Sequence, residues 1–292
     1  MPHVATLIAK REAFRLEAAH LDALQRALNA APPVELSPDE AYDFVFDAPT
    51  PAGVLAKAGL EALPLDLVVQ PVHGREKRIL VADMDSTIIG QECLDEVAAA
   101  LGLEAKVAPI TEAAMQGKLD YAESLRERMA ILKGTPLATL AKVQTERIRP
   151  TAGARTLVST LKAKGAKTAL VSGGLTFFVE AIAKDLGFDR FLSNRAEAVD
   201  GVLTGRVFEP VVGAAAKLDF LQRLAAEFAV PLEAAAVIGD GANDIPMMQA
   251  AGISFAYRGK PKVEAAAKAR LRHASLEGVL FACGIPRRDF VK

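Results

Sequence analysis

Three short stretches of this 292-residue sequence hold acids, glycines and hydroxyls at spacings that could do chemistry. Asp83-Met84-Asp85-Ser86-Thr87 sets two carboxylates one residue apart, so in an extended segment both side chains leave on the same side. Ser172-Gly173-Gly174 offers a hydroxyl beside backbone N–H groups that an anion can approach without a Cβ in the way. Gly239-Asp240-Gly241-Ala242-Asn243-Asp244 supplies two more acids and an amide, and Lys217 adds a single cation ahead of it. Carboxylates gathered at one edge repel one another unless a hard divalent cation lies between them, and Mg2+ with oxygen ligands fits. A pair of acids can then divide the work, one ligating and attacking while the other exchanges protons. Hydroxyl, glycine N–H groups, a following helix N-terminus and a lysine all suit a phosphate. Together they describe a site for phosphoryl transfer, where positioning and charge neutralisation supply most of the catalysis.

Each part has a plainer explanation. D-x-D-x-T arises by chance in about one chain in ten of this length, Ser-Gly-Gly is most often a turn, and a lone lysine is nearly always surface charge. GDGxND is rarer, on the order of one in several thousand. All four in order make coincidence remote.

The elements that must position these residues follow from the apolar pattern. Residues 79–82, 166–171 and 235–238 read as short buried strands that run straight into the three stretches. Helical spacing covers 151–163, 175–186, 214–228 and 243–251, and Asp200-Gly201 marks a hairpin. Such alternation predicts an α/β fold with a doubly wound parallel sheet, which binds ligands at the carboxyl ends of its strands. Residues from about 91 to 145 are helical without a convincing strand, so they form an insertion after the first strand of that sheet. Up to about residue 75 the order is strand, helix, strand, helix, strand, with the polar run Gly74 to Arg78 as the boundary. Nothing before that boundary looks catalytic. An auxiliary α/β domain over 1–75, of regulatory (ACT-like) or oligomerisation type, and a second unit over 76–292 are expected, and a homodimer is compatible with this.

Composition bounds the partners. Lys and Arg number 35 against 36 Asp and Glu, a net charge of -1, which argues against a nucleic-acid binder. No stretch reaches the ~20 apolar residues of a membrane span. Cys93 and Cys283 lie far apart and form no zinc or CxxC spacing, so two reduced thiols in a cytoplasmic protein are the default.

The order DMDST, VSGG, lysine, GDGAND resembles the haloacid dehalogenase (HAD) superfamily of aspartate-nucleophile phosphohydrolases, over about 78–285. Within it the detail is similar to the phosphoserine phosphatase family. Glu92 stands nine residues after Asp83, Met115 to Arg128 is similar to that family's cap signature, and Val171 to Phe178 and Ile238 to Met248 match closely. Tyr121 stands where a phenylalanine is expected, and Leu175 is a second departure. The resemblance implies a Rossmann-like parallel sheet with a helical-bundle cap at about 91–148. It also implies Mg2+-dependent hydrolysis of O-phospho-L-serine, the last step of serine biosynthesis.

The implied roles follow residue by residue. Asp83 attacks phosphorus, Asp85 exchanges protons, and Lys217 supports the nucleophile and the phosphate. Asp83, the backbone carbonyl of Asp85, and Asp240 bind the metal, with Asp244 beside them. Ser172, Gly173, Lys217 and Asn243 hold the phosphoryl oxygens. Glu92 and Arg128 take the ammonium and carboxylate of the amino acid, with Met115 and Tyr121 over the substrate. Tyr121, Leu125 and Arg128 do share one helix face, and the planar fork of Arg128 suits a carboxylate. Charge patterning alone leaves Arg128 at even odds of being one more solvated charge. Two other readings stand beside this one: a phosphatase or phosphotransferase for another small phosphomonoester, and a catalytically silent sensor.

Overall fold

In the first strand, β1 (His3–Ala9), alternate residues enter different apolar neighbourhoods, as a pleated strand covered on both faces requires. Ala5, Leu7 and Ala9 share a core with Leu24, Leu28, Phe44 and Val54, while Ile8 and Val68 join the cluster of the larger unit. The computed structural model describes residues 1–47, 53–115 and 119–292. Helix α1 (Ala18–Leu28) buries Leu24 and Leu28 at i, i+4 and ends at Asn29, whose φ of 50° is the left-handed C-terminal conformation. After it come β2 (Val34–Ser37), β3 (Ala41–Phe46), the short α2 (Val54–Lys57) and β4 (Leu65–Pro71). They form an antiparallel sheet in the order β2-β3-β1-β4. The expected three strands are present, and β2 is a fourth. Its first residues, Val34 and Glu35, are exposed at the sheet edge, so no apolar alternation announces it.

The larger unit opens with β5 (Ile79–Asp83), buried along its whole length. The cap helices come next: α3 (Cys93–Ala100), α4 (Glu104–Met115), α5 (Tyr121–Ile131) and α6 (Leu137–Glu146). The chain returns through α7 (Ala154–Ala163), β6 (Lys167–Leu175), α8 (Thr176–Leu186) and β7 (Arg190–Asn194). A hairpin of β8 (Ala196–Val199) and β9 (Val202–Val207) turns at Asp200 and Gly201, both with positive φ (51° and 76°), as a tight two-residue turn demands. Last come α9 (Ala214–Glu227), β10 (Ala235–Gly239), α10 (Ile245–Ala250), β11 (Ile253–Tyr257), α11 (Pro261–Ala266), β12 (Ala269–Leu271) and α12 (Gly278–Ala282).

Six strands make one parallel sheet in the order β12-β11-β10-β5-β6-β7. Its residues alternate between two cores: Ile79, Val81, Val171 and Val237 on one face, Leu80, Ala82, Leu170 and Ile238 on the other. Both faces are therefore covered, which is why these strands read as continuous apolar runs. Helix α7 covers one face through Leu157 and Leu161, and α9 covers the other through Leu221, Leu224 and Ala225. The three strands expected from the sequence, β10, β5 and β6, are adjacent in the middle of the sheet. Their chemically suggestive ends consequently lie side by side.

The cap leaves and rejoins this sheet through paired stems. Ile89 and Pro150 form an antiparallel bridge, with Thr151 N–H donating to the Ile88 carbonyl at 2.9 Å. The β8–β9 hairpin also belongs to the cap surroundings, since Gly134 and Leu137 donate to the carbonyls of Leu203 and Gly201. Among the described residues no helix is long and apolar enough to cross a membrane.

The polar run Gly74 to Arg78, between β4 and β5, also carries an anchor. Arg75 is nearly buried and bonds Asp43 with two nitrogens (2.5 and 2.7 Å), Thr6 at 2.9 Å, and the carbonyls of Phe281 and Ala282 at 2.8 and 2.7 Å. Asp66 accepts from three successive backbone N–H groups, Arg272, His273 and Ala274. Removing Arg75 takes the paired cation from the buried Asp43 carboxylate, which keeps only the Thr6 hydroxyl. Arg75→Met is accordingly expected to lower the urea-unfolding stability by about 3–5 kcal/mol. An unchanged urea midpoint in that variant would show that the anchor carries no energy.

Candidate active site

Asp83 is the last residue of β5, and its carboxylate Oδ1 accepts from Lys217 Nζ at 2.7 Å. The same ammonium donates to Asp244 Oδ1 at 2.7 Å, and Lys217 is fully buried. It reaches this position because residue 217 lies on the stripe of α9 that also carries Leu221 and Leu224, at i, i+4 and i+7. Burial opposes the charge of Lys217, but Asp244 and Asp83 outweigh it and hold its pKa above the ordinary lysine value. Asp244 is held in turn by the Gly241 N–H, which donates to its Oδ2 at 3.1 Å. Gly239 has to be glycine here, because a Cβ would sit 2.3 Å from that carboxylate oxygen.

Asp83, Asp240 and Asp244 bring ligand oxygens within 4.8 Å of one another. Burial and then the Asp83 charge push the Asp240 pKa up to about 6, and the same two causes push Asp244 up to about 7. Three hard oxygen donors that disfavour one another's charge are what a divalent cation requires, so these residues fit one. Thr87 Oγ1 donates to Asp240 Oδ1 at 3.3 Å and orients it.

Asp85 stands apart from this cluster. The turn after β5 leaves Asp85 extended (φ -66°, ψ 139°) and puts Ser86 in the left-handed region at φ 54°. The Asp85 carboxyl then accepts from the Cys93 N–H at 3.0 Å through Oδ1 and from the Ser172 hydroxyl at 3.0 Å through Oδ2. Burial raises its pKa, with Asp83 adding to the effect against the hydrogen bond from Cys93. Ser86 donates to Glu92 Oε1 at 2.7 Å, and burial with the Asp85 charge lifts Glu92 to about 8.

A cavity of about 280 Å³ opens above these acids. Asp83, Asp85, Glu92, Tyr121, Arg128, Gly173, Asp240 and Asn243 line it. Ser172, Lys217 and Asp244 are buried beneath it and do not. The sequence reading thus separates into a cavity wall and a supporting layer. The Ser172 hydroxyl, expected on a phosphoryl oxygen, donates to Asp85 here. The Tyr121 hydroxyl donates to the Gly173 carbonyl at 2.7 Å. Arg128 Nε donates to the Ser124 carbonyl at 3.3 Å, one turn back on α5. The side chain of Met115 lies outside the described residues, as do residues 116–118 of the same stretch.

Four contributors went unrecognised in the sequence. Ser124 lines the cavity, is 1% exposed, and its hydroxyl has no hydrogen-bond partner among the described residues. Its signal was available, because it sits between Tyr121 and Arg128 at i+3 and i-4 on α5. Thr111 lines the wall from α4, and Lys260, just before α11, brings a second cation to it. Asn194 Nδ2 donates to the Gly173 carbonyl at 2.7 Å from the end of β7. No local pattern marks the last three.

Paired acids at the end of a central parallel strand, a lysine from the following layer and a helical cap over the cavity are together one arrangement. The profile of the haloacid dehalogenase-like hydrolases matches residues 80–249. The chain belongs to that family. Phosphoserine phosphatase SerB2 of Mycobacterium tuberculosis is 44% identical over 215 residues, which cover 74% of this chain and 52% of that protein. This HAD chain therefore spans about half the length of that relative. A HAD family hydrolase from Salmonella enterica subsp. enterica serovar Typhi superposes with a TM-score of 0.86 at 31% identity, covering 97% of this chain and 98% of the other. A substrate-bound phosphoserine phosphatase complex matches with a TM-score of 0.67 at 37% identity, covering 70% of this chain and 98% of that one.

The buried charges make a test of this HAD site. Lys217→Met keeps length and removes the ammonium, leaving Asp83 and Asp244 uncompensated. In EDTA the variant should lose about 3 kcal/mol of unfolding stability relative to the parent, and millimolar Mg2+ should restore part of it. Equal urea midpoints for the two proteins in EDTA would refute the charge balance described.

Proposed function

We propose that this chain hydrolyses O-phospho-L-serine to L-serine and inorganic phosphate, with Mg2+ as its cofactor. One observation carries the reading: a single cavity is lined by Asp83 and Asp85 from the core and by Glu92 and Arg128 from the cap side. The first pair suits a phosphate ester, and the second suits the two opposite charges of an amino acid. The likeness to phosphoserine phosphatases supports the same substrate.

In the first step a carboxylate oxygen of Asp83 attacks phosphorus. The bond between phosphorus and the serine oxygen breaks, and Asp85 gives that oxygen its proton. Burial, which keeps Asp85 protonated more readily than a solvated aspartate, favours this role. In the second step Asp85 takes a proton from water as the water oxygen attacks the aspartyl-phosphate. Phosphate leaves and the Asp83 carboxylate is regenerated. Asp83, the Asp85 carbonyl and Asp240, with Asp244 beside them, would hold Mg2+, which when bound supplies positive charge against that of the phosphoryl group.

Lys217 holds Asp83 in place from below. Gly173 and Asn243 are the wall residues placed to donate to phosphoryl oxygens, with Ser172 behind Gly173. Arg128 and Glu92 take the carboxylate and ammonium, and Tyr121 narrows the cavity from α5. Two free buried thiols, Cys93 and Cys283, suit a reducing compartment, so the proposal includes a cytoplasmic location.

Phosphate release from O-phospho-L-serine tests the reading directly. Release is expected with Mg2+, and its loss is expected with EDTA or in Asp83→Asn. Arg128→Ala should raise KM for phosphoserine by about 10–100-fold, the range of a lost charge-assisted hydrogen bond. For p-nitrophenyl phosphate, which has no carboxylate to bind, KM should change little. Full activity of Asp83→Asn would remove the covalent step, and equal KM changes on the two substrates would remove the carboxylate clamp.

A further inference from the structure

Tyr121 carries a hydroxyl that its ring position over the cavity does not require. That hydroxyl is aimed at the core, where it donates to the Gly173 carbonyl at 2.7 Å. The approach is possible because residue 173 is glycine: a Cβ there would lie 1.8 Å from the phenolic oxygen. Burial pushes the Tyr121 pKa up, so the group keeps its proton and remains a donor.

The contact does not stop at Gly173. Its carbonyl also accepts from Asn194 Nδ2 at 2.7 Å, and Asn194 is fixed by the Val212 N–H, which donates to its Oδ1 at 2.8 Å. The far end of the same peptide unit is the Gly174 N–H, which donates to Ser172 Oγ at 2.8 Å. Ser172 then donates its own proton to Asp85 Oδ2 at 3.0 Å. One peptide and one hydroxyl thus join a cap tyrosine to the acid at the centre of the site. Hydrogen bonds in such a chain polarise one another in a low-dielectric interior.

We propose that Tyr121 is a positioning residue, whose hydroxyl sets the Gly173–Gly174 peptide and, through Ser172, aims the Asp85 carboxyl at the leaving oxygen. The proposal rests on the phosphatase reading and on Asp85 as its acid. It links cap to chemistry, since the chain is complete only while α5 lies against Gly173 at the end of β6. Proton delivery to the leaving group is then strongest with the cap in place.

A purely structural tyrosine and a positioning one differ in a measurable way. A leaving group whose conjugate acid is strong needs little help from Asp85, and a weak one needs much. Phenyl phosphate and p-nitrophenyl phosphate share a ring and differ in that acidity. Tyr121→Phe keeps the aromatic ring and removes only the hydroxyl. Its kcat/KM, which reports phosphoryl transfer to Asp83, should fall about tenfold for phosphoserine and for phenyl phosphate, the size of one lost hydrogen bond. For p-nitrophenyl phosphate it should stay within about twofold of the parent. Ser172→Ala should show the same pattern, and the double variant should lose no more than the larger single loss.

Equal losses on the two aryl esters would overturn the proposal in favour of a role in substrate binding. An unchanged kcat/KM for phosphoserine would overturn it outright. Either result leaves the phosphatase reading intact, whereas a parent protein that releases no phosphate from phosphoserine ends both.

Discussion

Lys217 is buried completely and bonded at 2.7 Å to two carboxylates, and the rest of the site is arranged around that fact. A buried ammonium is tolerated only with close anionic partners, and buried carboxylates are tolerated only with a cation. The three acids Asp83, Asp240 and Asp244, when ionised, exceed the single lysine by two negative charges. A divalent cation carries the same amount with opposite sign. The strength of this arrangement comes from rigidity, since Lys217 is anchored by the same α9 face that buries Leu221 and Leu224.

Sheet order does the remaining work of assembly. Asp83, the Ser172–Gly174 segment and the Asp240–Asp244 turn come from sequence positions up to about 160 residues apart. They meet because β10, β5 and β6 are neighbours running in one direction. Each strand therefore presents its carboxyl end at the same edge, where loop backbone is free to turn toward a ligand. The cap closes the fourth side and contributes groups that a phosphate alone would not need. Under the proposed function, recognition of the organic part of the substrate and handling of its phosphate would be carried by different segments of chain.

What the sequence disclosed divides along a physical line. β5, β6 and β10 were legible because both faces are buried and the side chains are apolar without interruption. β7 has exposed Arg190 and Phe191, and β12 has only three residues, so neither rises above its surroundings. β11 is fully buried, yet five residues without an adjoining motif gave no anchor for reading it. At the site, residue types pointed to Asp83, Asp85 and Asp240 because few other functions gather acids at strand ends. The direction of a hydroxyl is another matter. Ser172 and Tyr121 each could have faced a ligand, and which partner each found depends on the packing of α5 against the end of β6. Arg75 shows the same limit, since a polar run looks solvated until a buried Asp43 is found opposite it.

The anchor formed by Arg75 and Asp66 also bears on the order in which the chain folds. Arg75 meets the carbonyls of residues 281 and 282 across separations of 206 and 207 residues, contacts that close late because loop closure must precede them. The N-terminal sheet can form earlier, because β1 finds β3 and β4 within its own first 71 residues. In the interval its docking face is open to water. That face carries Asp43, Asp66, Thr6 and Gln70 among its apolar residues, and such a surface hydrates while it waits. An all-apolar face of the same shape would have been a site for association with other chains before its own partner had been made.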